Sequence, residues 1–144
     1  MKTKTIFGAL GVIVKNNKIL MALRHQPDYL PFHRKWEFPG GEVEFPERPE
    51  ETVVREIAEE VKIKTSVVSL LPYVVVSYIK KDNLFSKAIL LVYVCRLIKG
   101  QPQPSSQEVE KVKWFSFSEI NYSRCLPFTR EIIETLLKSN YVVN

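Results

Sequence analysis

The most informative segment of the chain runs from residue 40 to residue 63 and reads GGEVEFPERPEETVVREIAEEVKI. Its second half predicts an α-helix, because Val53, Ile57 and Val61 recur at every fourth position and would line one apolar face. Three glutamates would converge within one turn beside that face: Glu56, Glu59 and Glu60. Like charges at this spacing destabilise a helix by roughly 0.2–0.5 kcal/mol per pair. A divalent cation that prefers oxygen ligands would remove this repulsion, so the segment indicates a site for Mg²⁺ or Mn²⁺.

The residues before this helix predict a strand, a glycine turn and a loop. Gly40 and Gly41 leave the backbone free to take a positive φ angle and to bring a carbonyl oxygen close to a bound ion. Pro49 suits the first turn of a helix, where its missing N–H has no intrahelical partner to lose. Glu50 and Glu51 follow it near the positive end of the helix dipole. We therefore expect the acidic helix to begin close to Pro49.

The spacing of the polar residues in this segment resembles the signature box of the Nudix hydrolases. The matched positions are Gly41, Glu47, Arg55, Glu56, Ile57, Glu59, Glu60 and Ile63. The preceding residues 36–41, WEFPGG, are similar to those that lead into the box in the MutT-like branch, whose members cleave nucleoside triphosphates. The resemblance implies an α/β fold, a Nudix-type α/β/α sandwich with a mixed, curved β-sheet between helices. Pro46 and Lys62 depart from the family pattern, because glycine is usual at both positions, and Lys62 removes an easy glycine cap for the helix.

The resemblance also implies roles for residues in and beyond the box. The implied ligands of Mg²⁺, with Mn²⁺ as a substitute, are the carboxylates of Glu56, Glu59 and Glu60 and the carbonyl oxygen of Gly40 or Gly41. Arg55 would hold Glu47 or a neighbouring carboxylate in position. The proton of the attacking water would pass to Glu59 or Glu108, between which the sequence does not choose. Glu108 stands six residues before Trp114, where related enzymes carry a further acid, and Glu110 is the fallback.

Four residues are implied in substrate binding: Arg24, Phe38, Lys87 and Thr129. Arg24 matches an arginine that contacts the nucleotide in MutT-like proteins, and a plain surface arginine is the alternative. The ring of Phe38 would stack on a nucleobase or belong to the core, and Lys87 would reach a phosphate or a base. Thr129 stands where MutT-like proteins carry an Asn or Asp that recognises the base. A hydroxyl cannot make the bidentate contact of an amide, so this departure puts the family's preference for 8-oxo-guanine in question.

The remaining pattern predicts two hairpins, a further strand and a C-terminal helix. Residues 6–14 and 19–23 flank a Lys-Asn-Asn-Lys turn, in which asparagine tolerates a positive φ angle. Residues 63–80 and 84–98 would form a second, longer hairpin. The apolar run over residues 88–94 predicts a strand that helices cover on both faces. The two later elements are a strand over residues 108–115 and a helix over residues 127–137.

Length and composition favour a single domain over residues 1–144, since 144 residues with 45% hydrophobic content suffice for one core. The net charge of +5 would attract polyanions such as free nucleotides. A nucleic acid polymer is not expected as a partner, because no recognition helix, zinc finger or aromatic RNA-binding pattern occurs. Cys95 and Cys125 lie far apart without a CxxC motif, which argues against a disulfide framework or a structural zinc site. His25 and His33 are interpreted as loop residues rather than metal ligands.

No apolar run approaches the length of a membrane span, and the lysine-containing start of the chain lacks a signal-peptide cleavage site. We therefore expect a cytoplasmic monomer or homodimer that does not associate with membranes. The leading hypothesis is a Mg²⁺-dependent pyrophosphohydrolase acting on a (deoxy)nucleoside triphosphate. The alternatives are hydrolysis of ADP-ribose or a dinucleoside polyphosphate, or a nucleotide-binding module of this fold without catalysis. The presence of every glutamate of the box counts against the last of these.

Overall fold

The computed structural model describes residues 1–139, and within them eight strands form one mixed sheet. The strands are β1 (Lys2–Lys15), β2 (Lys18–Arg24), β3 (Trp36–Glu37), β4 (Gly40–Glu42), β5 (Lys64–Leu70), β6 (Val75–Lys81), β7 (Leu84–Lys99) and β8 (Val109–Ser116). The helices are α1 (Pro49–Val61) and α2 (Thr129–Lys138), with short 3-10 helices at Phe117–Glu119 and Tyr122–Arg124. The helix expected to begin near Pro49 is thus confirmed.

Strand β1 lies at the centre of the sheet and pairs in parallel with β7, from Lys2 opposite Leu84 to Ile13 opposite Cys95. It pairs antiparallel with β2 and β4, β2 also pairs with β3 and β8, and β7 pairs with β5 and β6. One face of the sheet packs against α1 and the other against α2. The side chains that α1 buries are Val53, Ile57 and Val61, and those that α2 buries are Ile132, Ile133 and Leu136. The expected sandwich of a mixed sheet between helices is therefore confirmed.

The first hairpin agrees with the prediction, because Asn16 and Asn17 take φ angles of 51° and 61° in the turn between β1 and β2. The second hairpin differs from the prediction in its first arm. Residues 63–80 form two strands, β5 and β6, which are separated over residues 71–74 and both pair with β7. Pro72 lies in the interruption, where it has no N–H to continue a strand ladder.

The apolar run in β7 is covered on both faces over only part of its predicted length. Residues 92–95 are buried, whereas residues 88–91 are half-buried. The helices account for this difference, because the two buried clusters draw on residues 92–95 of β7 and residues 9–14 of β1. The expectation of two covered faces is therefore right for the second half of the run and wrong for the first half.

The loop over residues 100–107 closes the C-terminal end of α1. Backbone amides donate to three of the last carbonyls of the helix: Lys62 N to Ala58 O (3.2 Å), Gln103 N to Val61 O (3.0 Å) and Ser105 N to Glu60 O (3.0 Å). The Ser105 hydroxyl donates to the carbonyl of Glu59. The cap expected to be lost with glycine is nevertheless formed, because Lys62 itself takes the left-handed conformation with φ 60°. The loop thus satisfies carbonyls that a helix end otherwise leaves unpaired.

The C-terminal helix begins two residues later than predicted, at Thr129, and ends at Lys138. Cys95 and Cys125 are both buried free thiols. Among residues 1–139, no helix has both the length and the apolar character needed to cross a membrane.

Candidate active site

Gly40 and Gly41 lie in β4, where the backbone passes too close to its neighbours for any side chain. A Cβ atom on Gly41 would lie 2.5 Å from the carboxyl carbon of Glu56, and one on Gly40 would lie 2.1 Å from the carbonyl oxygen of Ala9. The expectation of a positive φ angle at this pair is wrong, because among residues 1–139 the glycine with that geometry is Gly100. The two glycines therefore allow the backbone of β4 to approach its neighbours closely, and Gly41 brings β4 against the Glu56 carboxylate of α1.

Arg55, in the middle of α1, connects three carboxylates through hydrogen bonds. Its Nε and Nη2 donate to the two oxygens of Glu47 at 2.6 and 3.0 Å. Its Nη1 donates to Glu56 Oε1 at 3.0 Å and to Glu59 Oε2 at 3.2 Å. The contact expected between Arg55 and Glu47 is present, in a bidentate form that suits a guanidinium. These bonds hold the pKa of Arg55 above its ordinary value.

Thr52 also supports Glu47, a role that the motif spacing did not predict. The Thr52 hydroxyl donates to Glu47 Oε1 at 2.8 Å, and the whole residue is excluded from solvent. The hydrogen bonds from Arg55 and Thr52 lower the pKa of Glu47 from 4.5 to about 2. A polar residue on the otherwise apolar inner face of a predicted helix is the signal that would have found Thr52.

A cleft of about 310 Å³ opens beside α1 and is lined by Arg24, Glu37, Gly40, Glu60, Glu108 and the loop over residues 25–28. Glu60 is 6% exposed, and its Oε2 accepts a hydrogen bond from the Gly40 N–H at 3.3 Å. Burial raises the pKa of Glu60, and the neighbouring carboxylates Glu37 and Glu56 raise it further. Because these carboxylates repel one another, the cleft is suited to a divalent cation with oxygen ligands.

Glu37 lines this cleft, although no motif in the sequence marked it as a site residue. It is buried in β3, and its Oε1 accepts a hydrogen bond from Arg24 Nη1 at 2.8 Å. Burial raises the pKa of Glu37, Arg24 opposes that change, and Glu108 adds to it. Arg24 is further held by its Nε, which donates to Gln26 Oε1 at 2.7 Å. The signal for Glu37 in the sequence was its position between two aromatic residues in WEFP. Such neighbours indicate burial, and a buried carboxylate needs a charged or hydrogen-bonding partner.

The three candidates for accepting a proton lie in different surroundings. Glu108 precedes β8, lines the cleft, and its carbonyl accepts a hydrogen bond from the His25 N–H at 2.8 Å. Glu110, the fallback, lies outside the lining of the cleft and contacts His25 and Arg34 instead. The Glu59 side chain is 58% exposed, is bonded to Arg55 and does not line the cleft.

The implied substrate-binding residues do not form one group. Arg24 lies in the wall of the cleft, but Phe38 is 1% exposed and packs in the buried cluster on the α2 side. Of the two roles expected for Phe38, the structure supports the core, because a buried ring has no free face on which a nucleobase could stack. Lys87 lies in β7 opposite Thr5 and Tyr78, outside the lining of the cleft. Thr129 is 1% exposed at the start of α2, and its hydroxyl has no hydrogen-bond partner within residues 1–139.

Comparison with known proteins agrees with this arrangement. The model of the NUDIX domain family matches residues 5–136 of the chain. The 8-oxo-dGTP diphosphatase of Escherichia coli (strain K12) is 28% identical over 128 residues, which are 89% of this chain and 93% of that protein. A MutT NUDIX hydrolase from Burkholderia pseudomallei has a TM-score of 0.77 at 27% identity, over 92% of this chain and 98% of that chain. The MutT protein from Methanosarcina mazei Go1 shares the fold, with a TM-score of 0.81 at 20% identity over 99% of both chains. The chain therefore belongs to the NUDIX domain family and is a MutT-like Nudix hydrolase.

Proposed function

We propose that this hydrolase is a Mg²⁺-dependent pyrophosphohydrolase that converts a (deoxy)nucleoside triphosphate to the nucleoside monophosphate and pyrophosphate. The observation that carries the proposal is the convergence of Glu37, Glu60 and Glu108 on one cleft, with Glu56 one helical turn from Glu60. The Escherichia coli relative bears the name 8-oxo-dGTP diphosphatase, which supports a nucleoside triphosphate as the class of substrate.

The residues of the site fit a divalent metal ion. Glu56, Glu59 and Glu60 offer carboxylate oxygens, and Gly40 or Gly41 offers a backbone carbonyl, which are the ligands that Mg²⁺ prefers and Mn²⁺ accepts. Burial and the nearby carboxylates Glu37 and Glu56 raise the pKa of Glu60, which supports a cation as the partner of this negative charge. When bound, the ion lowers the pKa of a water molecule and neutralises charge on the phosphoryl oxygens.

Side chains of the chain itself carry the remaining steps. Glu108 accepts the proton of the attacking water, because it lines the cleft while Glu59 is exposed and bonded to Arg55. Arg24 binds a phosphate oxygen of the substrate, since its bonds to Glu37 and Gln26 hold a permanent positive charge in the wall of the cleft. Arg55 and Glu47 position Glu56 without touching the substrate.

The nucleobase would occupy a second cleft, of about 370 Å³, whose lining includes Phe32, Tyr73, Tyr78 and Phe128. Phe32 connects the two clefts, because the Arg24 guanidinium lies 5.6 Å from the centre of its ring. These aromatic rings replace Phe38 as the surface on which a base stacks. Lys87 and Thr129 keep their proposed contacts with a phosphate or base. Thr129 is 1% exposed, so the residues around its unpaired hydroxyl must move before a base can contact it.

The proposal extends to the setting in which the enzyme works. We expect it to act on free nucleotides in the cytoplasm, as a monomer or a homodimer and without a nucleic acid or membrane partner. The net charge of +5 favours a small polyanionic substrate.

The experiment is to measure release of monophosphate and pyrophosphate from a panel of canonical and oxidised nucleoside triphosphates, ADP-ribose and diadenosine polyphosphates. Each substrate is tested with Mg²⁺ and with a chelator. The variants are Glu60→Gln, Glu108→Gln and Glu59→Gln, with Glu134→Gln on the exposed side of α2 as the matched control. We expect the wild-type protein to cleave one triphosphate in the presence of Mg²⁺ and not in the presence of the chelator. Glu108→Gln should lower kcat roughly 10²–10⁴-fold.

Glu60→Gln should abolish the Mg²⁺-dependent rate, and Glu134→Gln should leave it unchanged. A larger loss in kcat for Glu59→Gln than for Glu108→Gln would reverse the assignment of the proton acceptor. Cleavage of ADP-ribose or a dinucleoside polyphosphate with no triphosphate turned over would replace the proposed substrate. If the folded protein cleaves none of these compounds, the function is instead nucleotide binding without catalysis.

A further inference from the structure

Two histidines and a glutamate meet at the edge of the cleft, and of these three residues His25 lines it. His25 follows β2, His33 lies in the loop between β2 and β3, and Glu110 belongs to β8. One nitrogen from each imidazole and one carboxylate oxygen of Glu110 lie within 4.8 Å of one another. His25 Nδ1 is 3.1 Å from Glu110 Oε1, and the two imidazole rings meet edge to face with their centres 5.4 Å apart. No spacing in the sequence points to this cluster, because Glu110 and His25 are 85 positions apart.

The donor atoms of this cluster differ in chemistry from those of the glutamates on α1. Two imidazole nitrogens and one carboxylate oxygen are a set of ligands that binds Zn²⁺ in proteins, whereas Mg²⁺ prefers oxygen ligands. Donor atoms around a tetrahedral Zn²⁺ lie about 3.4 Å apart. The most distant pair would therefore have to approach by at most about 1.4 Å. The His25 side chain is 43% exposed, so it has room to make this movement.

Neighbouring groups already orient two of the three side chains. Arg34 Nη1 lies 3.2 Å from Glu110 Oε2, which leaves Oε1 facing His25. The Gln26 N–H donates to His33 Nδ1 at 3.0 Å and holds that ring beside the cluster before a metal binds. Zn²⁺ binding at Nδ1 would replace this single hydrogen bond with a metal–nitrogen bond. The Arg34 contact with Glu110 can persist, and contacts of that kind orient carboxylate ligands in protein metal sites.

We infer that His25, His33 and Glu110 form a second metal site, which binds Zn²⁺ and is separate from the Mg²⁺ site on α1. Three protein ligands leave a fourth position of the ion open to water. Bound Zn²⁺ fastens the loop between β2 and β3 to β8, and the same loop contributes Gln26 and Asp28 to the cleft. The inference stands on the geometry of these side chains and does not depend on the proposed reaction.

The test uses the fact that the chain contains only two histidines. NMR signals from imidazole rings therefore report on this site alone, provided that the protein carries no histidine tag. Zn²⁺ is titrated into the protein in the presence of a large excess of Mg²⁺, which occupies the oxygen ligands of the cleft. We expect the signals of both rings to shift together and to saturate at one equivalent of Zn²⁺. Isothermal calorimetry under the same conditions should give the same stoichiometry.

Three variants make the assignment specific. His33→Asn keeps an acceptor for the Gln26 N–H and removes the imidazole, and Glu110→Gln keeps the shape of the side chain without its charge. Each should weaken Zn²⁺ binding roughly tenfold or more. Glu60→Gln, which alters the cleft carboxylates, should leave the Zn²⁺ affinity unchanged.

The inference is overturned if Zn²⁺ shifts neither imidazole signal or only one of them. It is also overturned if Glu110→Gln binds Zn²⁺ as the wild type does, or if Glu60→Gln is the variant that loses Zn²⁺. The titration of the wild-type protein decides the question even where a variant does not fold, because both histidines are observed in the native chain.

Discussion

At the scale of single residues, Arg55 organises the acidic side of α1 through the shape of its guanidinium. Two of its nitrogens contact the two oxygens of Glu47, while Nη1 lies between Glu56 and Glu59. A lysine offers a point charge and could not reproduce this planar fork. The Arg55 bonds are the largest cause of the lowered pKa of Glu47. The Arg55–Glu47 pair therefore makes the free energy of unfolding depend on pH between the folded and the ordinary pKa of Glu47.

We expect Glu47→Gln to lower the free energy of unfolding at neutral pH. The folded chain holds the pKa of Glu47 at about 2, compared with an ordinary value of 4.5. A carboxyl group with a depressed pKa stabilises the fold above its ordinary pKa, and that contribution is lost as the pH falls towards the folded value. The difference in stability between wild type and variant should thus be full above pH 4.5 and vanish near pH 2. Urea unfolding across this range measures it, with Glu134→Gln as the control, and a difference that grows on acidification would contradict the prediction.

We expect Gly41→Ala to lower activity because the new Cβ displaces the Glu56 carboxylate, whose carbon would be 2.5 Å away. The loss in kcat/KM should be roughly 10–100-fold, the usual effect of disturbing the position of a metal ligand. Steady-state kinetics with Mg²⁺ and denaturant unfolding are measured on the same preparation. In the double variant with Glu56→Asp, the shorter side chain relieves the clash, so stability should recover while activity stays low. An active Gly41→Ala enzyme would show that β4 can move away from α1.

At the scale of elements, the loop over residues 100–107 contributes to the position of the acidic helix. It donates backbone and hydroxyl hydrogen bonds to carbonyls of the last turn of α1 and leads directly to Glu108. The end of the helix and the approach to β8 are therefore held together, which keeps Glu60 and Glu108 on the same cleft. Lys62 completes this end in a left-handed conformation that a side chain disfavours by about 1–2 kcal/mol.

We expect Lys62→Gly to raise the free energy of unfolding by about 1 kcal/mol, because glycine takes the left-handed conformation without steric cost. Part of the relief is offset by the greater freedom of glycine in the unfolded chain. Lys62→Ala is the matched control, since alanine removes the exposed lysine side chain but keeps the Cβ atom. Thermal and denaturant unfolding of the three proteins measures the effect. A glycine variant no more stable than the alanine variant would mean that φ at this position carries little strain.

At the scale of the whole molecule, one sheet couples the two buried clusters. Alternate residues of β1 point to opposite faces, so Leu10, Val12 and Val14 enter the cluster on the α2 side while Ala9 and Ile13 enter the cluster on the α1 side. A central strand cannot leave one cluster without disrupting the other. We therefore expect residues 1–139 to unfold as one cooperative unit.

The two tryptophans provide the test, because Trp36 packs against the cluster on the α2 side and Trp114 against the cluster on the α1 side. In Trp114→Phe the fluorescence reports on Trp36, and in Trp36→Phe it reports on Trp114. Within each variant, the urea midpoint from fluorescence should coincide with the midpoint from far-ultraviolet circular dichroism. Separate midpoints in either variant would mean that one layer unfolds before the other. The comparison is made within one protein, so a change in overall stability does not affect it.

The arrangement of α1 could be predicted almost entirely from local spacing. The 3.6-residue period places Val53, Ile57 and Val61 on the buried face, and residues four apart meet, as Arg55 and Glu59 do. The turn at Asn16 and Asn17 could be predicted equally well, because few residues tolerate its positive φ angles. The family could be recognised from the same segment, since its glycine and acidic positions occur at fixed separations.

The composition of the cleft depended instead on pairings between distant strands. Strand β2 pairs with both β3 and β8, which brings Arg24, Glu37 and Glu108 together from three parts of the chain. The same pairings put Phe38 in the core and Glu110 beside His25 and His33. Local periodicity reports which residues share a face, but it contains no information on which strand lies alongside. The sequence alone thus determined the acidic helix and which of its residues share a face, while the packing of the sheet determined which other side chains the helix meets.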